Sequence, residues 1–511
     1  MFYGIDYFLK IKILLFLILN WINIPAQNNT YADSKIILAK VAGREITLDD
    51  FYSRAEYTVR PSYCKGNNNI DKKIVLNSLI AEKMLALRSE AQFNLINDER
   101  IYNMIAGLKE QKMRALLSYY EGDSKVKRDT NELKKIYSVA GRTYRIEYFN
   151  IPNEKSAKSL YKKFSGSDSS FNKIYKTSAV TDSIYTREVS WSDPEAKEIH
   201  KTLFSEKLKK NQLIGPININ DSTHLFINIK GWNDRVVITN KEITERWTDV
   251  VEKVTREKAD SIYDKFVLGV MGDKTLTFNA DVFAKVAKLL APFYLNQKKR
   301  AEDEFLNFEL NKSLWEPFFG EVADFNKIGG NYNEIKNLAF FSIDGKNWTV
   351  SDFKKEFDKH PMIFRKDDSK KGFNHGLKNA IVDLVRDKYL NDIAYKRGYD
   401  KNKIVEHYEQ SWLDASKAFF QRDEYLKNFD VKGKKEIEII EKYLNPYIEK
   451  LLKDYSPQIE INVEEFNKII LTRIDMFAVQ SQVPYPVYVP AFPQLTNYNR
   501  LDYGRKMDAE N

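Results

Sequence analysis

An α+β chain, mostly helical with one small sheet-bearing domain, is predicted by three observations. Polar–apolar alternation over Tyr144–Ile151 and again over His224–Ile229 reads as half-buried strands. Apolar residues at 3–4 spacing dominate most of the remainder, most clearly from Lys73 to Phe93. A set of residues near the start also recurs far downstream. Gly43, Thr47, Asp50 and Phe51 reappear 302 positions later as Gly345, Thr349, Asp352 and Phe353, and Leu79, Ile80, Lys83 and Leu85 reappear 305 later as Leu384, Val385, Lys388 and Leu390.

The first residues carry an export pattern. Lys10 and Lys12 precede the apolar run Ile13–Leu19, with small Ala26 beyond it. Residues 1–26 are therefore expected to be a signal peptide. The alternative is an uncleaved anchor, because Trp21, Ile22 and Ile24 extend the apolar stretch, and membrane association is expected only in that case. With 43% hydrophobic and 30% charged residues, the chain has globular composition and length for about three or four domains. The net charge of +9 comes from interspersed signs, which argues against a nucleic-acid stripe. Cys64 is the single cysteine, so no internal disulfide can form. No Cys/His cluster marks a zinc site, and neither a phosphate loop nor a dinucleotide fingerprint is present; no metal or cofactor is expected.

Taken in order, Ile36–Val41 reads as a strand ending at Ala42-Gly43, and Thr47 with Asp50 as a capping box opening a helix through Phe51. Helices follow over Lys73–Phe93 and from Asn97 onward, making a helical domain at 33–140. Residues 141–236 form the small domain. It comprises the first strand, a helix through Ala157 and Phe164, a turn at Gly166–Phe171 with a short helix, an extended Val189–Trp191, an amphipathic run through Ile199 and Phe204, a turn at Asn211–Ile217, and the strand at His224. A helical region spans 237–338, the second copy of the first unit 339–430, and further helix 431–480. Residues 481–511 are Pro/Tyr-rich and are read as a solvated tail, the alternative being an arm docked in a groove.

The small domain resembles a parvulin-type peptidyl-prolyl isomerase. Tyr148-Phe-Asn-Ile followed by Glu154-Lys-Ser-Ala157 is similar to the family's H-I-L-V…E-A opening, and Gly166 with Phe171 to its G…F turn. Leu213-Ile-Gly-Pro-Ile217 is similar to V-S-G-P-V, with His224 eight residues beyond Pro216 where the family has the histidine of its last strand. The family's other histidine is replaced by Tyr148. The helical units resemble the N-terminal domain of SurA/PpiD-type periplasmic chaperones through Val41-Ala-Gly43, Ile46-Thr47, Asp50-Phe51 and Leu79-Ile80 to Met84-Leu85.

The resemblance implies SurA-like helical units flanking a parvulin-like domain with a four-stranded antiparallel sheet and an eroded catalytic centre. It assigns His224, Tyr148 and Asp182 to catalysis, with Tyr148 donating its O–H to His224, and Ile199, Leu203 and Phe204 to a proline pocket. Rotation about the prolyl bond needs no covalent step, only better binding of the twisted amide than of the planar one. The other reading of His224 is a satisfied interior histidine. The implied protein is a periplasmic chaperone for unfolded envelope or outer-membrane clients, with at most weak isomerase activity. The competing reading is a non-catalytic adaptor of an envelope assembly.

Overall fold

The computed structural model describes residues 36–92, 99–164, 170–178, 183–220, 222–292, 330–360, 362, 364, 372–472, 485 and 488–507. The chain is α+β: helices predominate and the strands form three small sheets. It divides into two compact units, Tyr119–Leu268 and the remainder. The expected export segment 1–26 lies outside the described residues. Among those described, no helix is long and apolar enough to cross a membrane.

The larger unit is built from two copies of one design. In the first copy, β1 (Ile37–Val41) turns into β2 (Arg44–Thr47) through Ala42 and Gly43, both at positive φ (47° and 81°). In the second, β8 (Ala339–Ile343) turns into β9 (Lys346–Thr349) through Asp344 and Gly345, at 51° and 71°. Two successive positive φ values are the type I′ hairpin turn, which is why glycine sits at the second position of both.

Each hairpin runs directly into a capped helix. Thr47 opens α1 (Leu48–Glu56) and Thr349 opens α11 (Val350–Lys359), each with the reciprocal Thr–Asp capping box, worth about 1 kcal/mol. Phe51 and Phe353, one turn in, are fully buried. Two long helices follow in each copy, α2 (Asn68–Gln92) and α3 (Glu99–Glu121), then α12 (Phe373–Lys396) and α13 (Lys403–Leu426).

A further equivalence lies beyond the similarity seen in the sequence. Strand β7 (Thr277–Phe278) pairs with β8, and β10 (Ile459–Ile461) pairs with β1. The residue after each is an asparagine with matching roles. Asn279 N–H donates to Phe340 O at 2.9 Å and Asn462 N–H to Leu38 O at 2.8 Å. Each side chain also caps the helix that follows, over 280–292 (α9) and Val463–Lys468 (α16).

The copies exchange parts. The strand–helix arm at the end of each copy completes the other copy's hairpin, and the third helix of each docks on the other copy. Helix α13 lies on α2, with Asp414 bonded to Lys83 (2.8 Å) and Arg44. Burial disfavours the Lys83 charge, but Asp414, Glu82 and Asp50 prevail and hold its pKa above the ordinary value. Helix α3 lies against the second copy. Its Arg114 reaches Asn391 at 2.7 Å, and its Met113 and Leu116 pack with Ala394 and Val405. Gly107 meets the end of α11 so closely that a Cβ there would stand 2.0 Å from the Lys359 carbonyl oxygen.

Three expectations are corrected. The helix expected over 431–480 is unbroken only over 436–455, as α14 (Glu436–Ile439), a π-helical turn (Ile440–Leu444) and α15 (Asn445–Tyr455) with Pro446 in its first turn, and β10 and α16 follow it. The tail read as solvated is docked over 488–507. Phe492 and Leu495 enter the first copy's core, Arg54 Nη2 holds Ala491 O at 2.7 Å, Asn77 Nδ2 holds Arg500 O at 3.0 Å, and β11 (Arg505–Lys506) extends the sheet beside β10. Prolines there remove donors that this docking does not use. The third correction is a strand where a turn was expected, in the smaller unit.

The smaller unit holds α4 (Thr130–Tyr137), β3 (Arg142–Ile151), α5 (Glu154–Phe164), α6 (Ser170–Thr177), β4 (Tyr185–Ser190), α7 (Lys197–Phe204), β5 (Leu213–Asn220), β6 (Thr223–Asp234) and most of α8 (Asn240–Met271). The stretch read as a turn at Asn211–Ile217 is largely β5, irregular at the cis Gly215–Pro216 peptide. All neighbours in the sheet are antiparallel, in the order β4-β3-β6-β5. One face buries Phe149, Ile151 and Phe226 against α5 and α6. The other buries Tyr144, Ile146, Val189, Ile227 and Ile229 against α4, α7 and α8.

Candidate functional site

Strand alternation decides which side chains share a face of this sheet. In β3 the even positions face α7. Tyr148 therefore joins Tyr144 and Ile146 on that side, where it is half-buried. The register then draws one row across all four strands: Tyr185 pairs with Tyr148, Tyr148 with Ile227, and Ile227 with Ile214. Ile227 is buried, Tyr148 and Ile214 are half-buried, and Tyr185 is 50% exposed. Half-buried Leu225 and Ile219 extend the same apolar surface.

The edge of this surface is fixed by a charged pair. The Tyr148 and Tyr185 rings lie 5.6 Å apart at 30°, and the Arg187 guanidinium lies over the Tyr148 ring at 5.2 Å. Arg187 is itself held by Glu195 through two hydrogen bonds, one of 2.8 Å. The arrangement suits an extended apolar or aromatic segment with a nearby carbonyl or carboxylate for Arg187. It contains no nucleophile beside a base, so covalent chemistry has no footing among these residues.

His224 is elsewhere. It pairs with Ile151 across β3 and β6, which puts it on the α5 side of the sheet with Phe149 and Phe226. It is 2% exposed, its backbone N–H donates to Asn150 Oδ1 at 2.7 Å, and its ring Nδ1 has no hydrogen-bond partner. Glu154, at the first turn of α5, is held below the usual carboxylate range first by Lys158 and in part by His224. The expected hydrogen bond from Tyr148 to His224 is therefore not made: the two side chains leave the sheet in opposite directions.

Ile199, Leu203 and Phe204 are 5%, 0% and 1% exposed on α7. They are packed under the sheet, Phe204 against Tyr144 at 5.4 Å and Trp191 at 5.5 Å, and not open to a ligand. Asp182 lies outside the described residues.

A histidine that the sequence did not single out as special lies at the centre of this layer. His200 on α7 is 4% exposed and meets the Trp191 ring edge to face at 4.6 Å, with Nε2 2.9 Å from the Trp191 carbonyl. That carbonyl also accepts from Lys253 on α8 at 3.0 Å. Burial, helped by the Lys253 ammonium, lowers the His200 pKa to about 4. His200 thus acts as a neutral strut between β4, α7 and α8. Its periodicity with Ile199, Leu203 and Phe204 was the available signal. Tyr185, Arg187 and Glu195 were missed as well, although Tyr185, Arg187 and Val189 alternate as a strand should.

Compared with known proteins, the chain matches no family model, no curated protein and no solved structure.

Proposed function

We propose that the protein is a folding chaperone of the periplasm that holds extended apolar segments of unfolded envelope or outer-membrane proteins, with at most weak prolyl isomerase activity. The observation that carries this reading is the half-open row Tyr185–Tyr148–Ile227–Ile214, apolar at its centre and edged by Arg187. Exposed aromatic and aliphatic surface on a rigid sheet is what recognition of apolar segments requires. The order of elements, with helices α5 and α6 after the first strand and a four-stranded antiparallel sheet, is compatible with a parvulin-like module. The duplicated hairpin-and-helix unit is compatible with SurA-like helical units in the same chain. Any isomerase activity then rests on Tyr148 and not on His224.

The test is suppression of aggregation of a urea-unfolded outer-membrane barrel protein diluted into buffer with the purified chain, run beside a protease-coupled prolyl tetrapeptide assay. Suppression near one chain per client with a prolyl rate close to background is the expected pair of results. Absence of suppression, together with a stoichiometric complex with a folded envelope protein, would replace this reading by the adaptor.

A further inference from the structure

Where α3 of the first copy docks on the second copy, three ligand-type side chains converge. Glu110 projects from α3, Glu356 from α11, and His360 stands at the end of α11. They are 4%, 8% and 9% exposed. One ligand atom from each lies within 4.8 Å of the other two. Glu110 Oε2 is 2.7 Å from His360 Nε2. Glu356 Oε2 is buried with no hydrogen-bond partner.

That last fact needs an explanation, because a carboxylate oxygen sealed from water without a donor is costly. The other two members of the cluster give it no donor: the Glu110 carboxylate only accepts, and His360 Nε2 is engaged by Glu110. A cation bound by all three satisfies Glu356 and turns the Glu110–Glu356 repulsion into shared attraction. We propose that Glu110, Glu356 and His360 form a binding site for a divalent transition-metal ion that fastens α3 to α11.

The donor set is one imidazole nitrogen and two carboxylate oxygens, a combination suited to zinc and its neighbours. Ligand bonds of about 2.0–2.2 Å put donor atoms roughly 3–4 Å apart around one ion. Small side-chain rotations bring the three atoms from their present spacing to that one. The surrounding residues orient Glu110: Asn391 Nδ2 donates to its Oε2 at 2.8 Å, Tyr395 O–H to its Oε1 at 3.2 Å, and Lys359 Nζ lies 3.3 Å from Oε1. Of the two ammonium groups that face these carboxylates, Lys359 is shared with Glu110 and Lys388 is paired with Asp392, which leaves negative charge for the ion. Arg114 is committed to Asn391 and to Asp387, 3.6 Å away. Glu356 and His360 stand four residues apart at the end of α11, whereas Glu110 lies 246 positions before Glu356, so sequence spacing shows only two of the three ligands.

The experiment is calorimetric titration of zinc chloride into the full chain after treatment with a chelator and its removal, at pH 7.5, for wild type, Glu356→Gln and His360→Gln. One ion per chain is expected, with affinity weakened at least 100-fold in both variants. Cobalt(II) substitution in the wild type gives a second readout that no variant is needed for: visible absorption bands of a low-coordinate nitrogen–oxygen site. No stoichiometric binding by the wild type, or binding of unchanged affinity in both folded variants, overturns the proposal. If neither variant folds, the cobalt spectrum decides, and a six-coordinate aquo-like spectrum overturns it.

Discussion

Glu110 on α3 and Asp414 on α13 occupy corresponding places in the two copies, and each carries a buried carboxylate into the copy it does not belong to. Glu110 meets Lys359, His360 and Asn391, whereas Asp414 meets Lys83, Arg44 and Gln410. The reciprocity makes the exchange testable from either side.

Asp414 is the hydrogen-bonded partner of a buried lysine. Replacing it alone, as Asp414→Asn, removes the bonded counter-charge of Lys83 and leaves Glu82 and Asp50 as its remaining opposite charges. The expected cost is on the order of 3 kcal/mol in urea unfolding. The double change Lys83→Met with Asp414→Leu removes both charges and is expected to recover most of that loss.

Gly107→Ala tests the other docking. In an exposed helix alanine would be favoured by about 1 kcal/mol. Here the added methyl collides with the Lys359 carbonyl, so the sign reverses and a loss of about 1–3 kcal/mol is expected, read as a lower urea midpoint.

Acid should loosen the smaller unit through His200. Its pKa is about 4 in the fold against an ordinary 6.5, so the unfolded chain binds the extra proton in between. The stability it contributes is present above pH 6.5 and is lost as pH falls through about 4, by roughly 2–3 kcal/mol. The His200 ring should show no titration above pH 5 by NMR, and His200→Gln should flatten the acid limb.

Glu436 acts in the opposite sense, in the larger unit. Burial, opposed by Arg422, pushes its carboxyl up to about 7. The folded state holds the proton more tightly between about 4.5 and 7. The stability this brings is full below pH 4.5 and is lost as pH rises through 7. Glu436→Gln is expected to stabilise the chain at pH 8 by about 1 kcal/mol, with no gain at pH 4.

Tyr148 and His224 should separate binding from stability. Tyr148→Ala removes the centre of the apolar row and is expected to weaken client holding by about tenfold, measured as the concentration that halves aggregation. His224→Leu should leave that concentration unchanged. An equal loss from both would assign His224 a part in the site.

The legible parts of the fold were those where the backbone demands a residue type. The two hairpin turns need glycine at positive φ, and the two caps need Thr and Asp three apart, so the duplication could be read from Gly43, Thr47 and Asp50 alone. The arms could not be read. Strands β7 and β10 are two and three residues long and exist because a distant hairpin edge accepts them. The facing of His224 was hidden for a related reason. Its side of the sheet depends on which β3 residue it pairs with, and that register is interrupted by bulges near Arg145 and Pro216. Strand β5 was obscured by Gly215-Pro216, whose composition signals a turn. The docked segment 488–507 was obscured by prolines that signal solvent.

The reciprocal arms also set a timetable for assembly. Asn77 in the first copy bonds to Arg500, 423 positions away, and the first hairpin's outer strand comes from the second copy's arm. Nearly the whole polypeptide must leave the ribosome before the first copy can close. Such long-range closure slows folding and keeps the nascent thread open until its last tenth arrives.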